Sequence, residues 1–232
     1  MDNKVFGGAL YGKTEINGSA GELNFNPANL KVITISRTTG SGASIVAQRL
    51  AEDMGWTVWD RSLLLSLAED VNIQKEILKV IDERHLDTAS SYAYSLFGDT
   101  SLGGMVYTRQ LARTIWAICA RNKAIIIGRG ANFIVPNALH VRIDAPFERR
   151  VENMMKFEDM GREQAEKQLK ISDRDRKNFL VKCFGKEKVE KFPFDLQLSM
   201  NRLSKDDASA LIKLAFAQHE ARLKVKFADH LL

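Results

Sequence analysis

The chain has 232 residues, 45% of them hydrophobic and 27% charged, which suits one large or two small domains with a sizeable core and excludes disorder as the main state. A net charge of +5 fits small anionic partners as well as nucleic acid, and no dense basic run favours the latter. Cys119 and Cys183 form no metal-ligand spacing, no charged-then-apolar leader opens the chain, and no apolar run approaches the ~20 residues of a bilayer span, so a cytoplasmic protein without a membrane segment is expected.

Residues 1–30 hold five of the fifteen glycines and little hydrophobic periodicity, and read as an N-terminal extension to a folded body at 31–232. Within them, GGALYGKT at 7–14 satisfies the phosphate-loop pattern G-x-x-x-x-G-K-[ST] in full. It lacks the setting that makes such a loop work, a strand delivering the chain to a helix N-terminus whose free N–H groups and dipole face an anion. Gly18, Gly21 and Pro27 interrupt the chain beyond it before a helical period can develop. The run KVITISRTTGSGASIVAQRLAEDMG at 31–55 has that setting. It predicts a strand at 32–36, a glycine turn, and a helix carrying Ile45, Val46, Leu50, Ala51 and Met54 on one face before Gly55 stops it. On the same pattern this turn keeps Gly42 and Ser44, but puts Arg37 at the first glycine and Ala43 at the lysine.

A short second strand is expected at 56–59, ending at Asp60. The stretch 61–121 carries helical patches interrupted by SYAYSLFGDTSLGG at 91–104, a candidate mobile loop. The continuous apolar run at 124–128 predicts a central parallel strand covered on both faces. A fourth strand is expected at 139–144, then a charged helical region at 146–191, a fifth strand near 195–199, and a final helix from Asp206 to about Phe227 capped by Ser204. Strands alternating with helices predict an α/β fold, a parallel sheet flanked by helices.

Polar clusters fall at the C-terminal ends of these strands, where an open α/β sheet puts its ligands. In the first turn, the backbone amides across Thr39, Gly40, Ser41, Gly42, Ala43 and Ser44, with the Ser44 hydroxyl, can hold phosphate oxygens and a magnesium ion, and Arg37 can stand in for the missing cation. The competing role is a glycine turn that only permits a tight crossing. Asp60-Arg61 ends the second strand and Gly128-Arg129-Gly130 the third; an arginine there can grip an anion with its planar fork, while the competing role for Asp60 is a surface ion pair. No acidic residue follows the third strand. The segment ISDRDRKNFLVKCF at 171–184, with Arg174, Arg176, Lys177 and Lys182 near Asp173 and Asp175, reads either as a solvated helix face or as a basic flap closing over a transferring phosphoryl group. Asp82-Glu83-Arg84 reads as helix surface.

The segments VITISRTTGSGASIVAQRLAEDMGWTVWDRSLL, IIIGRGANFIVPNALHVRIDAPFERRV, SDRDRKNF and FDLQLSMNRLSKDDASALI resemble, in consistent order, the cytidylate kinase-like proteins. The resemblance implies a P-loop kinase fold: a five-stranded parallel sheet, an acceptor-binding insertion at about 61–121 and a lid at about 150–190. It also implies donor phosphates on Gly40 to Ser44, Ser44 at the metal, acceptor contacts from Asp60 and Arg129, and Arg174 and Arg176 closing from the lid. The implied reaction is transfer of the ATP γ-phosphoryl group, with Mg2+, to a nucleoside monophosphate such as CMP or another small phosphorylated or hydroxylated acceptor. The alternative is a catalytically silent nucleotide-binding protein. Cytidylate kinase proper has a lysine where Ala43 stands and an aspartate where Gly130 stands; Arg37, Lys182 or Lys186 are the candidates to supply the lost charge. Nucleic acid is not the expected partner, and a homo-oligomer is left open.

Overall fold

The computed structural model describes residues 30–60 and 102–228. The full pattern match at 7–14, the triplet at 82–84 and most of the loop expected at 91–104 lie outside them.

The strands are β1 (Val32–Arg37), β2 (Thr57–Trp59), β3 (Ala124–Ile127), β4 (Leu139–Asp144) and β5 (Leu196–Ser199). They form one five-stranded sheet in the order β2-β3-β1-β4-β5, with every pairing parallel. The helices are α1 (Ala43–Met54), α2 (Leu102–Ala120), α3 (Ala131–Ile134), α4 (Phe147–Glu158), α5 (Arg162–Phe184), α6 (Lys186–Glu190) and α7 (Lys205–Ala228). All five strands stand within a residue or two of their expected positions. The charged region at 146–191 becomes three helices, divided by Asp159 in the left-handed region and by Gly185.

Period-two alternation divides the core into two layers. Ile33 and Ile35 of β1, Ile125 and Ile127 of β3, and Val141 and Ile143 of β4 face α1 and α7, where they meet Val46, Leu50, Ile212 and Phe216. Val32, Ala124 and Ile126 face the other way, onto Ile115 and Ile118 of α2, Ile134 of α3 and Phe184 of α5. With both faces covered, β3 is buried at all four positions, as its unbroken apolar run requires.

The apolar face of α1 differs from the expected one. Ala43, Val46, Ala47, Leu50 and Ala51 are buried, whereas Ile45 is 48% exposed. The buried positions follow i, i+3, i+4, i+7 from Ala43, and Ile45 falls off that stripe. Ser204 caps α7 as expected: its Oγ accepts from the Asp207 amide at 3.1 Å, and the Asp207 carboxylate accepts from the Ser204 amide at 3.0 Å, a reciprocal capping box. No helix among the described residues is long and apolar enough to cross a membrane.

Candidate functional site

The turn between β1 and α1 is built on two left-handed glycines, Gly40 (φ 76) and Gly42 (φ 80). Each serves a different end. A Cβ at Gly40 would lie 2.9 Å from the backbone oxygen of Arg150, so the loop packs directly on α4; a Cβ at Gly42 would meet nothing within 4 Å. Gly42 is also the N-cap of α1, and no side chain caps that helix. Among the described residues, no backbone carbonyl accepts from the amides of Gly42, Ala43 or Ser44. Those N–H groups, backed by the helix dipole, form a positive concavity open to an anion. Ser41 is buried, its hydroxyl donating to the Thr38 carbonyl at 2.9 Å, while Ser44 is exposed at the helix start. Ala43 is only 2% exposed and belongs to the α1 core, so nothing at this position supplies a cation.

Side chains from α4 and α5 hold the outer edge of the turn through its carbonyl groups. Arg176 donates to the carbonyl oxygen of Arg37 and, at 3.0 Å, to Thr39 Oγ1. Arg150 Nη1 lies 3.3 Å from the carbonyl oxygen of Thr39 and spans both carboxylate oxygens of Asp173 at 3.1 and 2.9 Å. Asn153 donates to the carbonyl oxygen of Gly40 at 2.8 Å, and the Thr39 and Ser172 hydroxyls are 2.5 Å apart. With its carbonyls engaged outward, the turn is left with its amides facing the open side.

Beside the turn lies a cleft of about 380 Å³ between the tips of β1 and β3 and one face of α5. From α5 come Ser172, Asp175, Arg176, Phe179 and Leu180, spaced so that one helical face overhangs the strand ends. Arg37 and Arg129 enter from the strands. Gly128, Arg129 and Gly130 are three consecutive residues with φ between 52 and 77. Holding arginine in that conformation costs on the order of 1 kcal/mol and aims its side chain at the cleft, its guanidinium 5.3 Å from the centre of the Phe179 ring. The Arg37 guanidinium lies across Gly128, where a Cβ would come within 2.6 Å of Nη1. At Gly130 a Cβ would fall 2.2 Å from Cε2 of Phe184. The Phe184 ring fills that space and stacks on Phe133 at 4.5 Å.

The cluster is strongly cationic. Burial, together with the nearby Arg129, Arg142 and Arg150, pulls the Arg176 pKa below that of an ordinary arginine, against the pull of Asp173. At the tip of β4, burial disfavours the Asp144 carboxylate, but hydrogen bonds from Thr38 at 2.6 Å and the Ala145 amide at 2.8 Å, with Arg142, outweigh it and hold the group below the usual carboxylate range. Crowded guanidinium groups of this kind favour a ligand bearing more than one negative charge.

Arg37, Arg129 and Arg176 therefore converge, next to the turn at 39–44. Arg174 does not join them: it is exposed and pairs with its neighbour Asp175 at 3.3 Å. Asp60 stands just after β2, half-buried, and does not line the cleft. Lys182 and Lys186 are exposed and do not line it either. Segment 171–184 is the second half of the continuous helix α5, its first half packed on α4 through Ala165 and Leu169. Arg150, Asn153, Asn132 and Ser172 could not be singled out from the sequence. Arg150 left a signal, because it shares the apolar stripe of Phe147, Val151 and Met154 at helical spacing.

The fold has counterparts among known proteins. No curated protein matches the chain. Among solved structures, an uncharacterised protein from Eubacterium ventriosum is similar at 21% identity, with a TM-score of 0.59 over 81% of this chain and 98% of that one; the likeness is one of fold. Shikimate kinase from Acinetobacter baumannii, solved with shikimate, is similar at 14% identity with a TM-score of 0.41 over 82% of this chain and 96% of that one. The profile of the cytidylate kinase-like family matches residues 32–202, the span that holds the sheet, the glycine turn and the arginine cleft, and the chain belongs to that family.

Proposed function

We propose that the chain transfers the γ-phosphoryl group of ATP to a small acceptor, a nucleoside monophosphate such as CMP or a related phosphorylated or hydroxylated molecule. The observation that supports it best is the convergence of Arg37, Arg129 and Arg176 on one cleft beside the open amides of the turn. Donor phosphates fit the amides of Gly42, Ala43 and Ser44, with Gly42 leaving room for their close approach. Magnesium would come in with the nucleotide and take the exposed Ser44 hydroxyl as its protein ligand, since no cluster of three acidic, histidine or cysteine residues stands ready among the described residues.

In this reading ATP supplies the phosphoryl group: its bond to the ADP oxygen breaks as a bond to an acceptor oxygen forms. Such transfer needs placement and charge compensation more than covalent help. Arg37 takes over from the absent lysine, Arg176 bridges the loop and the cleft, and Arg129 holds the acceptor's anionic group. Asp60, at the end of the strand beside β3, would border the acceptor. Arg174 has no part in it. The α5 face shields the reacting groups from water.

Incubation with ATP, magnesium and a panel of nucleoside monophosphates and small hydroxylated or phosphorylated acceptors should produce ADP above the acceptor-free rate. ATP binding without turnover on any acceptor would instead identify a silent nucleotide-binding protein.

A further inference from the structure

Asn132 lies in α3, two residues beyond the Gly130 cap, and lines the cleft. It is 6% exposed, and among the described residues its amide Nδ2 has no hydrogen-bond partner. Such an amide is uncommon, because a buried donor without an acceptor loses its hydration and gains nothing in return. Its surroundings explain why it stays unmet. Phe184 and Phe133 stack at one end of α3, and the short helix uses its own backbone groups for its turn. The arginines lining the cleft can offer it no lone pair, and Asp175, Ser36 and Ser172, which could, make no hydrogen bond to it.

We infer that Asn132 is a ligand-contacting residue whose amide donates to an oxygen or nitrogen of the same acceptor molecule whose anionic group rests on Arg129. This rests on the reading of the cleft as the acceptor site, and it narrows the acceptor's class. The inference assigns the anionic end of the ligand to the guanidinium group and gives the amide a neutral acceptor beyond it, a hydroxyl, ring or carbonyl oxygen or a base nitrogen. A volume of about 380 Å³ is near the lower limit for ligand pockets, which favours a compact organic phosphate. Asn132 thus sets specificity, separating organic phosphates from inorganic phosphate.

Titration calorimetry of the full chain with CMP, ribose 5-phosphate and inorganic phosphate tests this. At least one organic phosphate should bind about tenfold or more tightly than inorganic phosphate, and Asn132→Ala should erase that margin while leaving inorganic phosphate affinity within about twofold. Asn132→Leu, close in shape and without the donor, should behave likewise and guards against a folding defect in the alanine variant. If both variants keep the margin, a trapped water satisfies the amide and the inference falls. If the parent binds all three phosphates equally, the Asn132 contact falls while the anion site survives. If it binds none, the acceptor-site reading beneath it falls first.

Discussion

Phe184 occupies the space that a side chain at Gly130 would need: a Cβ there would sit 2.2 Å from the ring. The space beside Gly130 is taken up by aromatic packing, with Phe184 buried against Phe133. The same ring packs α5 onto the sheet face of Val32, Ala124 and Ile126.

Placing an acid at 130 should therefore damage the fold. Gly130→Asp combines a positive φ with overpacking, and the two together should cost about 2 to 4 kcal/mol in denaturant unfolding. Adding Phe184→Ala makes room, so the double variant should be less destabilised than the sum of the two single changes. Strict additivity would show that the ring and position 130 do not compete.

Arg150 and Asp173 couple the turn to α5. The Arg150 side chain is 9% exposed and Asp173 34%, and the arginine also reaches the carbonyl of Thr39. Arg150→Met should destabilise by roughly 1 to 2 kcal/mol, below the range for a fully buried pair because Asp173 keeps some water. A double-mutant cycle with Asp173→Asn should return a coupling near 1 kcal/mol, and ATP affinity should drop as the Thr39 carbonyl loses its partner. A coupling energy indistinguishable from zero would mean that the contact does not tie the helix to the turn.

The sheet was legible because its signals are local. Ala124 to Ile127 is apolar at every position, Gly55 stops α1 in the left-handed region, and Ser204 and Asp207 spell a cap. The phosphate turn was legible from the order strand, glycines, helix, even with arginine and alanine at two pattern positions. The cleft's outer wall was not. Arg174, Arg176 and Lys177 look alike in the sequence, yet only Arg176 faces inward, because which third of a charged helix meets the sheet depends on how α5 docks. Asn132 was hidden in a similar way: one polar residue within ANFIV reads as a tolerated exception until its amide is seen without a partner.

Arg37 separates the two remaining explanations for the missing lysine. If its guanidinium supplies the phosphate cation, Arg37→Ala should weaken ATP binding by about 10- to 100-fold, as expected for a charged hydrogen bond worth roughly 1.5 to 3 kcal/mol. Arg37→Lys should recover part of the loss, restoring charge without the planar fork. Calorimetry that finds Arg37→Ala equal to the parent assigns the compensation elsewhere, with Arg176 the next guanidinium to test.

His140 gives the fold a dependence on pH above the carboxylate range. Its ring is buried on β4 beside β1, with Nδ1 2.8 Å from Thr34 Oγ1, and it stacks edgewise on Phe192. Burial lowers its pKa from 6.5 to about 4, helped by repulsion from His219 and opposed by Asp195 and a backbone contact at Pro136. The unfolded chain takes up this proton near pH 6.5 and the folded chain only near 4. Stability from the neutral ring is therefore complete above about pH 6.5 and is lost as the pH falls toward 4, a change on the order of 3 kcal/mol. Asp53, Asp144 and Asp207 are held below the usual carboxylate range, so their own losses come at still lower pH. Urea unfolding at pH 7, 6, 5 and 4 should show the decline in the parent and a flatter profile in His140→Gln, whatever the variant's absolute stability. Parallel profiles would assign the decline to other groups.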